Sequence, residues 1–401
     1  MKKSVLRLNP LLQSPESQFL ESALHGRIIG QNEAVQSVLD LFQVFRSGLN
    51  SPGRPVGNLL FLGPTGAGKT RVVEAAAEIL FGDSRAVIKV DCAEFQHSHE
   101  ISKLIGSPPG YLGHRETHPV ITQEALSAYH TESMKLSFLL FDEIEKASDA
   151  LWQLLLGILD KATLTLGDNR HVDLSQTMIF MTSNLGGADI TDLVSGNSFG
   201  FTSASESAPR MYEKVKGTAI EAAKRKFAPE FINRIDKLIV FHPLRTPELE
   251  KILEIELAIV QRRILESSRR RFTFRVSQEA CQFLLREGTD AKYGARHLKR
   301  SIERFLVFPL ANLLSTGQIA TFDTISVEWD SRGKELIFLL DQEEAQAPAF
   351  LTEMHLSRGN SPTWAGQIAS RSPAKFPLEN RPQRWDPLVS MLRGSPDGKP
   401  E

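Results

Sequence analysis

The chain has 401 residues, enough for two or three domains, and 41% of them are hydrophobic, so a substantial core can form. The 47 lysines and arginines nearly balance the 48 aspartates and glutamates, and the net charge of −1 argues against a general affinity for nucleic acid or an anionic membrane. Two distant cysteines, Cys92 and Cys281, and the absence of any apolar run of the roughly 18 residues that cross a bilayer lead us to expect a soluble, cytoplasmic protein.

The predicted elements begin with a helical segment that extends to about Gly57. Within it, GRIIGQNEAVQSVLDLFQVF has apolar residues at helical spacing, and SGLNSPGRPVG, rich in glycine and proline, predicts a loop. Five strand-like apolar runs follow, and helical patterns separate most of them: NLLFL, AVIKVD, SFLLFDE, TMIFMTSN and DKLIVFHPL. Strands that alternate with helices predict an α/β fold, a parallel sheet with helices on both faces, in which ligands bind at the carboxyl ends of the strands.

The first of these runs leads into a phosphate-binding motif. Residues Asn58 to Thr70 read NLLFLGPTGAGKT, which has the G-x-x-x-x-G-K-[ST] spacing between a predicted strand and a predicted helix. Glycines allow backbone N–H groups to surround phosphate oxygens, the lysine adds a charge at the β- and γ-phosphates, and the threonine offers a hydroxyl to Mg²⁺. A glycine-rich turn is the alternative, but its strand–loop–helix context favours a site for ATP and Mg²⁺. The predicted nucleotide ligands are Gly63, Pro64, Thr65, Gly66, Ala67, Gly68, Lys69 and Thr70.

Two carboxylates end the third apolar run, SFLLFDEIEKA. Asp142 lies at the end of the predicted strand, where it could reach the Mg²⁺ shell. Glu143 could orient or deprotonate the attacking water, because general-base catalysis needs a carboxylate within hydrogen-bond reach. The alternative is a strand that simply ends in solvated acids. The position between strands, about 70 residues after the phosphate loop, favours the catalytic interpretation.

Three further polar residues are candidates for the same site. Asn184 ends the run TMIFMTSN and could bind the γ-phosphate or the water, but Ser and Asn are also common in caps and turns, and both interpretations stay open. Arg234, just before another predicted strand, and Arg296, near a predicted helix start, could stabilise charge in phosphoryl transfer. For either arginine alone, a solvated or ion-paired side chain is the ordinary alternative.

The composition changes near Leu244. Helical patterns then dominate, as in TPELEKILEIELAIVQRRI and GARHLKRSIERFLVFPLANLL, and a short strand-like run, TISVEWD, ends them. After about Glu343 the chain is rich in Pro, Ser, Gly and charge, which is typical of disorder. The predicted organisation is a lead-in, a large ATPase domain, a small α-rich domain and a disordered tail, over residues 1–23, 24–243, 244–342 and 343–401.

Six strings, in this order along the chain, resemble the Clp class of AAA+ ATPases: GPTGAGKT, LIGSPPGYLG, LLFDEIEKA, TSNLG, FAPEFINRID and GARHLKR. The resemblance is to the second ATPase module of the Clp unfoldases and of the heat-shock disaggregase, and it runs from about Leu24 to about Phe338. It implies the AAA+ fold, in which a P-loop parallel sheet flanked by helices is followed by a smaller α-rich (α+β) lid domain.

The resemblance also implies a role for each residue that matches a family motif. The matches are Walker A (Lys69, Thr70), Walker B (Asp142, Glu143), sensor 1 (Asn184), the arginine finger (Arg234) and sensor 2 (Arg296). A finger acts on the nucleotide of the neighbouring subunit, so the resemblance implies a homo-oligomeric ring, which is hexameric in this family. The segment around Ile28 and Ile29 would line the adenine pocket.

A pore loop is implied by the string GYLG. It would comprise Gly110, Tyr111, Leu112 and Gly113. In the family, the aromatic residue of this loop grips an unfolded polypeptide, and an aromatic ring offers a large contact area that tolerates many sequences. A tyrosine packed on a neighbour in a turn is the alternative for Tyr111.

The function that follows is ATP hydrolysis in a ring, coupled to the threading of unfolded or aggregated protein through a central pore, as in a stress-response chaperone. One alternative is an ATPase subunit that delivers substrates to a partner Clp-like protease ring, for which Phe199-Gly200-Phe201 resembles a docking loop. Another is a nucleotide-dependent assembly protein that translocates nothing. A nucleic-acid motor is disfavoured by the near-zero net charge. The sequence shows one ATPase module and nothing that resembles the recruiting N-terminal or coiled-coil middle domain of the disaggregase, so its clients stay open.

Overall fold

A parallel sheet of five strands forms the centre of the fold. The computed structural model describes residues 9, 12–107, 118–187, 189–190, 208–267, 270–289 and 294–341. The described strands are β1 (Gly57–Leu62), β2 (Ile88–Asp91), β3 (Ser137–Asp142), β4 (Thr163–Thr165), β5 (His171–Asp173), β6 (Thr177–Ser183), β7 (Lys237–Val240), β8 (Thr273–Val276), β9 (Thr324–Asp330) and β10 (Glu335–Leu340). The central sheet has the order β2-β3-β6-β1-β7, and all its neighbouring strands are parallel.

The three inner strands of this sheet, β1, β3 and β6, are buried along almost their whole length. Such continuous apolar strands are typical of a parallel sheet that is covered on both faces. Aromatic rings on and beside these strands pack against one another. The ring centre of Phe61 lies 5.9 Å from that of Phe180 and 5.1 Å from that of Phe241, and the ring centre of Phe138 lies 5.1 Å from that of Phe180. All five strands predicted for this sheet are present, and the predicted parallel α/β fold is confirmed. The short hairpin β4–β5 was not predicted.

Helices cover the central sheet and connect most of its strands. The described helices are α1 (Pro15–His25), α2 (Asn32–Ser47), α3 (Lys69–Phe81), α4 (Ile101–Ile105), α5 (Gln123–Ser127), α6 (Asp149–Lys161), α7 (Ala208–Lys226), α8 (Pro229–Ile232), α9 (Thr246–Ser267), α10 (Gln278–Gly288), α11 (Ala295–Ile302) and α12 (Phe308–Ser315). Helices α1 and α2, which precede the first strand, pack against α3, which in turn packs against β3 and β6. Helix α7 packs against β1 and β7.

The strand order brings three predicted functional segments together. Strand β6 lies between β1 and β3, and parallel strands end at the same edge of a sheet. The loop that begins at Gly63 therefore lies beside Asn184, which follows β6, and Asn184 lies beside Glu143, which follows β3. The site is thus assembled by topology from segments that are far apart in the sequence.

The chain after β7 forms a smaller domain of helices α9 to α12 and a three-stranded sheet of order β10-β9-β8. A π-helical turn, Glu303–Val307, connects α11 to α12. The core of this domain includes the buried side chains of Phe272, Leu284, Leu306 and Val327. The predicted α-rich (α+β) lid domain is therefore confirmed, although the sequence predicted only β9 of its three strands.

Several predicted features lie outside the described residues. They are the pore loop (Gly110, Tyr111, Leu112, Gly113), the segment Phe199-Gly200-Phe201 and the tail 343–401. Within the described part of the chain, every helix is too short or too polar to cross a membrane. The predicted domain limits remain predictions.

Candidate active site

The loop after β1 needs glycine at two positions. Gly63 has a φ angle of 138°, and a Cβ atom there would lie 2.5 Å from the carbonyl oxygen of Phe241. Gly68 has a φ angle of 96° and precedes the first residue of α3. Because residues with a Cβ rarely adopt such angles, glycine is what lets the loop pass this close to β7 and enter α3. The amino terminus of α3 then offers backbone N–H groups to an anion.

Lys69 is buried in this loop, with 7% of its surface exposed. Its Nζ donates hydrogen bonds to the carbonyl oxygens of Gly63 (2.8 Å) and Pro64 (2.9 Å) and to Asn184 Oδ1 (2.9 Å). All three acceptors are neutral oxygens. Burial lowers the pKa of Lys69 to about 8, and the more distant carboxylates of Glu145 and Asp142 only partly oppose this effect. A buried cation that contacts only neutral oxygens is suited to bind a phosphate.

Asp142 is held by donors from three different elements. Thr182, on β6, donates a hydrogen bond to Oδ1, and the Thr70 hydroxyl lies 3.5 Å from the same oxygen. The Lys89 ammonium, on β2, lies 2.7 Å from Oδ2. Burial alone would raise the pKa of Asp142, but the hydrogen bonds from Lys89 and Thr182 hold it below its usual range. Asp142 is thus ionised, and its carboxylate with the Thr70 hydroxyl is an oxygen pair of the kind that Mg²⁺ takes.

Glu143 has a left-handed backbone, with φ 57° and ψ 48°. Its N–H donates to Thr182 Oγ1 (3.0 Å), which holds this conformation. Both carboxylate oxygens have a donor: Asn184 Nδ2 lies 3.1 Å from Oε1, and Lys146 Nζ lies 2.5 Å from Oε2. A strained non-glycine residue in this position is typical of functional sites.

Asn184 connects the phosphate loop to the carboxylates. Its Oδ1 accepts the hydrogen bond from Lys69, its Nδ2 donates to Glu143, and its backbone N–H donates to Glu145 Oε1 at 3.1 Å. The sequence left open whether this residue is functional or a simple turn residue. The side chain contacts both the predicted phosphate ligand and the predicted base.

These side chains line a cavity of about 350 Å³. Lys69, Thr70, Asp142, Glu143, Asn184 and Arg296 are all in its lining. Five isoleucine and leucine side chains line it as well: Ile28, Ile29, Leu244, Ile252 and Ile255. An adenine ring needs apolar cover, and a triphosphate needs cations and N–H donors. The lining supplies both, so these residues fit ATP.

The lid domain reaches the phosphate loop through the start of α11. The N–H of Ala295 donates to the carbonyl oxygen of Gly66 at 3.3 Å, and a Cβ atom on Gly294 would lie 2.9 Å from the same oxygen. This contact brings Arg296 and, one turn later, Lys299 into the cavity lining. Lys299 is also 3.5 Å from Glu256 on α9.

Arg234 lies apart from the cavity lining. Its guanidinium forms ion pairs with Asp160 at the end of α6 (3.0 Å) and with Glu230 on α8 (3.0 Å), and 20% of its side chain is exposed. The structure therefore brings the predicted ligands from Thr65 to Thr70, both carboxylates, Asn184 and Arg296 to one cavity. Gly63 and Pro64 are not in its lining but contact Lys69 through their carbonyl oxygens, and Arg234 does not reach the cavity.

Five residues of this network were not predicted: Gln31, Lys89, Glu145, Lys146 and Thr182. Thr182 and Lys89 had a weak signal, because each is a polar residue inside an apolar run. Lys146 also had a weak signal, because it lies three residues after Glu143, a spacing that allows an ion pair. Gln31 had none. Its buried amide donates hydrogen bonds to the carbonyl oxygens of Ala67 (3.2 Å) and His242 (3.0 Å). No local sequence pattern indicates these contacts.

Two family models match the chain in succession. Residues 54–238 match the AAA domain (Cdc48 subfamily), and residues 244–327 match the C-terminal, D2-small domain, of ClpB protein. Among curated proteins, chaperone protein ClpB of Aquifex aeolicus (strain VF5) is 39% identical over 324 residues, which cover 81% of this chain and 30% of that protein. The ATP-dependent Clp protease ATP-binding subunit ClpC of Staphylococcus epidermidis is 38% identical over 334 residues, 83% of this chain and 39% of that protein. The chain spans about a third of the length of these relatives.

Solved structures of Hsp104 are similar as well. A closed state of Hsp104 with ATPγS and FITC casein, determined by cryo-electron microscopy, is 30% identical with a TM-score of 0.66, over 81% of this chain and 52% of that one. An extended conformation of the S. cerevisiae Hsp104:casein complex is 29% identical with a TM-score of 0.68, over 83% of this chain and 54% of that one.

Proposed function

This chain belongs to the Clp class of AAA+ ATPases, and on that premise we propose that it hydrolyses ATP to unfold or remodel other proteins. One observation carries the proposal. Lys69, Asn184 and Glu143 form a continuous hydrogen-bonded chain inside a single cavity. That arrangement places a phosphate-binding cation and a candidate base on either side of one amide.

In this proposal the triphosphate lies along the loop from Gly63 to Thr70. Backbone N–H groups at the start of α3 and the Lys69 ammonium bind its oxygens. The Thr70 hydroxyl and the Asp142 carboxylate would hold Mg²⁺, their oxygens lying 3.5 Å apart. When bound, Mg²⁺ would neutralise charge on the β- and γ-phosphates. Ile28 and Ile29, with the aliphatic residues of the lid domain, would cover the adenine.

Glu143 is the proposed general base. A water beside its carboxylate would lose a proton to it as the water attacks the γ-phosphorus. The bond between that phosphorus and the oxygen it shares with the β-phosphate would break, so ADP and phosphate leave. Asn184 would orient this base and the γ-phosphate together, because its amide already contacts both Glu143 and Lys69. Arg296, from the lid domain, would bind the phosphates of the same subunit.

We further propose that Arg234 completes the site of a neighbouring subunit. Its position away from the cavity of its own chain supports a role in trans. A contact of this head-to-tail kind generates a closed ring when the rotation closes, and a hexamer is the size proposed here. A cytoplasmic location is part of the proposal, and the two free cysteines, Cys92 and Cys281, support it.

The proposed substrates are unfolded or aggregated polypeptides, gripped by Tyr111 in the pore loop. The similar Hsp104 structures are complexes with casein, and they support this part. Tyr111→Ala should abolish substrate unfolding and retain ATPase activity. Retention of unfolding would instead favour a ring that assembles with nucleotide and threads nothing.

The test of the ATPase proposal is the variant Glu143→Gln. Without the base, the hydrolysis rate should fall by about 10²- to 10⁴-fold, whereas binding of a fluorescent ATP analogue should persist. Glu94→Gln, at an exposed residue of the turn after β2, is the matched control and should leave the rate unchanged. Hydrolysis by Glu143→Gln at the original rate would overturn the assignment of the base.

A second candidate function is the delivery of substrates to a protease ring. The similarity to an ATP-binding subunit of a Clp protease favours it. In that case a peptidase ring of the Clp type should degrade a folded model substrate only when this protein and ATP are present, and deletion of Phe199-Gly200-Phe201 should abolish degradation without loss of ATPase activity.

A further inference from the structure

Lys89 is a charged residue on a strand of the central sheet. Its side chain also lines the candidate active site. It lies on β2, an edge strand, where it pairs in register with Leu140, and Asp91 pairs with Asp142. The side chain of Lys89 reaches Asp142, and its Nζ lies 2.7 Å from Oδ2. No step of the proposed hydrolysis uses this lysine.

The two oxygens of Asp142 have different partners. Oδ1 accepts a hydrogen bond from Thr182 and lies 3.5 Å from the Thr70 hydroxyl, whereas Oδ2 contacts Lys89. The side where Thr70 and Asp142 meet is the one proposed for Mg²⁺. The ammonium of Lys89 therefore occupies the other oxygen of the same carboxylate and carries a charge of the same sign as the metal.

The ion pair has little to contribute to folding. The side chain of Lys89 is 48% exposed and that of Asp142 is 19% exposed, and ion pairs open to water contribute little to stability. Their mutual attraction nevertheless acts on anything that binds the carboxylate. A cation that reaches Asp142 must compete with Lys89 for the charge of this carboxylate, and must also approach against the charge of Lys69.

We propose that Lys89 is a positioning residue that acts through Asp142 as its counter-ion. It reduces the affinity of the carboxylate for a free divalent cation, so that Mg²⁺ binds together with the nucleotide phosphates, whose negative charge outweighs the lysine. This inference rests on the proposed function, because it takes Thr70 and Asp142 as the residues that hold Mg²⁺.

The test is a Mg²⁺ titration of nucleotide binding. Binding of a fluorescent, non-hydrolysable ATP analogue is followed at increasing Mg²⁺ for the unsubstituted protein, Lys89→Met and Lys89→Arg. Methionine keeps much of the side-chain length and removes the charge, so the Mg²⁺ concentration at half-maximal binding should fall about two- to fivefold. Arginine keeps the charge and should leave that concentration unchanged.

A matched control is Lys237→Met. Lys237 lies on β7, the other edge strand, 4.0 Å from Asp40 and outside the cavity lining, so its replacement should not change the Mg²⁺ requirement. A merely structural role for Lys89 would leave the Mg²⁺ requirement of Lys89→Met the same or raise it, and either result overturns the inference. If the unsubstituted protein binds no analogue at any Mg²⁺ concentration, the proposed function itself fails.

Discussion

Glu143 shows how single residues at this site depart from the preferences of the rest of the chain. A left-handed backbone is unfavourable for a residue with a Cβ atom, and such strain persists only where neighbours enforce it. Here Thr182 accepts the hydrogen bond of the backbone N–H, and Asn184 and Lys146 hold the two carboxylate oxygens. The strained conformation fixes the orientation of the carboxylate. A general base requires such a fixed orientation, even though the backbone conformation is unfavourable.

His242 is a second residue whose surroundings have a measurable consequence. Its ring lies 4.3 Å from that of Tyr212, and its Nε2 is buried without a hydrogen-bond partner in the described part of the chain. Burial lowers the pKa of His242, and the nearby cations Arg245 and Lys216 act in the same direction. The carboxylates of Glu33 and Glu248 oppose this shift without reversing it.

We therefore predict that His242 destabilises the fold in acid. Its folded-state pKa lies below the unfolded value of about 6.5, so its contribution to stability is complete above that pH and is lost as the pH falls towards the folded pKa. His242→Phe retains a ring beside Tyr212 and removes the titration. The free energy of unfolding, from urea titrations at about pH 7.5 and about pH 5.5, should fall less in this variant than in the unsubstituted protein.

The exposed residue His171 supplies the control for this measurement. His171→Phe makes the same exchange at an exposed position on β5 and shows the general effect of replacing a histidine by phenylalanine. The reduction in acid destabilisation predicted for His242→Phe should exceed any change seen in His171→Phe. An identical loss of stability in His242→Phe would show that His242 is protonated as readily in the folded state as in the unfolded state.

At the scale of elements, Gln31 links three parts of the large domain. It lies just before α2, is 4% exposed, and donates hydrogen bonds to Ala67 in the phosphate loop and to His242 after β7. Its Oε1 accepts the N–H of His242 at 3.3 Å. One side chain thus connects the start of α2, the phosphate loop and the segment after β7 by hydrogen bonds.

We predict that Gln31→Ala weakens both the fold and the site. The substitution leaves buried backbone groups of Ala67 and His242 without partners, which should lower the free energy of unfolding by about 1–3 kcal/mol. Because Ala67 belongs to the phosphate loop, affinity for the ATP analogue should also fall. Gln36→Ala, on the exposed face of the same helix, removes only a contact with Asp40 and should change neither quantity in urea unfolding and binding titrations.

Phe322, before β9, combines two unfavourable features. Its φ angle is 74°, and 87% of its surface is exposed. Its N–H donates to the carbonyl oxygen of Arg271 at 2.6 Å, so the turn has a backbone bond that any residue could make. The left-handed conformation costs a residue with a Cβ atom about 1–2 kcal/mol.

We predict that Phe322→Gly raises the free energy of unfolding by about 0.5–1 kcal/mol, because relief of this strain exceeds the extra chain entropy of glycine. The measurement is again urea unfolding. Phe322→Ala removes the same exposed ring and keeps the Cβ atom, so it should show no such gain. Equal stabilities of the glycine and alanine variants would mean that the backbone at this turn is not strained.

The sequence predicted those elements whose signal is local and continuous. The buried strands β1, β3 and β6 are apolar runs, and the phosphate loop is a compact motif. Strands β4 and β5 have three residues each with alternating burial, too short for a pattern to stand out. The contacts of Lys89, Thr182 and Gln31 join positions about 40 to 210 residues apart, so they exist only once the topology is known.

At the scale of the whole molecule, Arg234 is a predicted functional residue in the described part of the chain whose role the fold of one chain does not explain. Its largely buried guanidinium is held by Asp160 and Glu230, and it does not contribute to the cavity that Lys69, Thr70 and Arg296 line. Two ion pairs orient the guanidinium, but Glu230 is 65% exposed and contributes little to stability. The role proposed for Arg234 within a neighbouring subunit's site would explain why the chain orients an arginine at this position.

We predict that Arg234→Ala and Glu143→Gln complement each other in mixed rings. Each variant alone should lack ATPase activity. In a mixture, an Arg234→Ala subunit keeps its own base, and a Glu143→Gln neighbour supplies the arginine, so about a quarter of the interfaces of a randomly mixed ring would hold every catalytic group. The mixture should therefore regain measurable ATPase activity, followed by phosphate release after subunit exchange.

A double variant separates this explanation from a general effect of mixing. The control mixture contains the single variant Arg234→Ala and the double variant Arg234→Ala/Glu143→Gln. Because neither subunit has Arg234, no interface contains this arginine, and the mixture should stay inactive. If rings shown by mass to contain both single variants gain nothing, or if Arg234→Ala alone hydrolyses ATP at the full rate, the arginine does not act across a subunit interface. Recovery of activity would instead make the interface itself part of the catalytic site, since neither single variant contains a complete one.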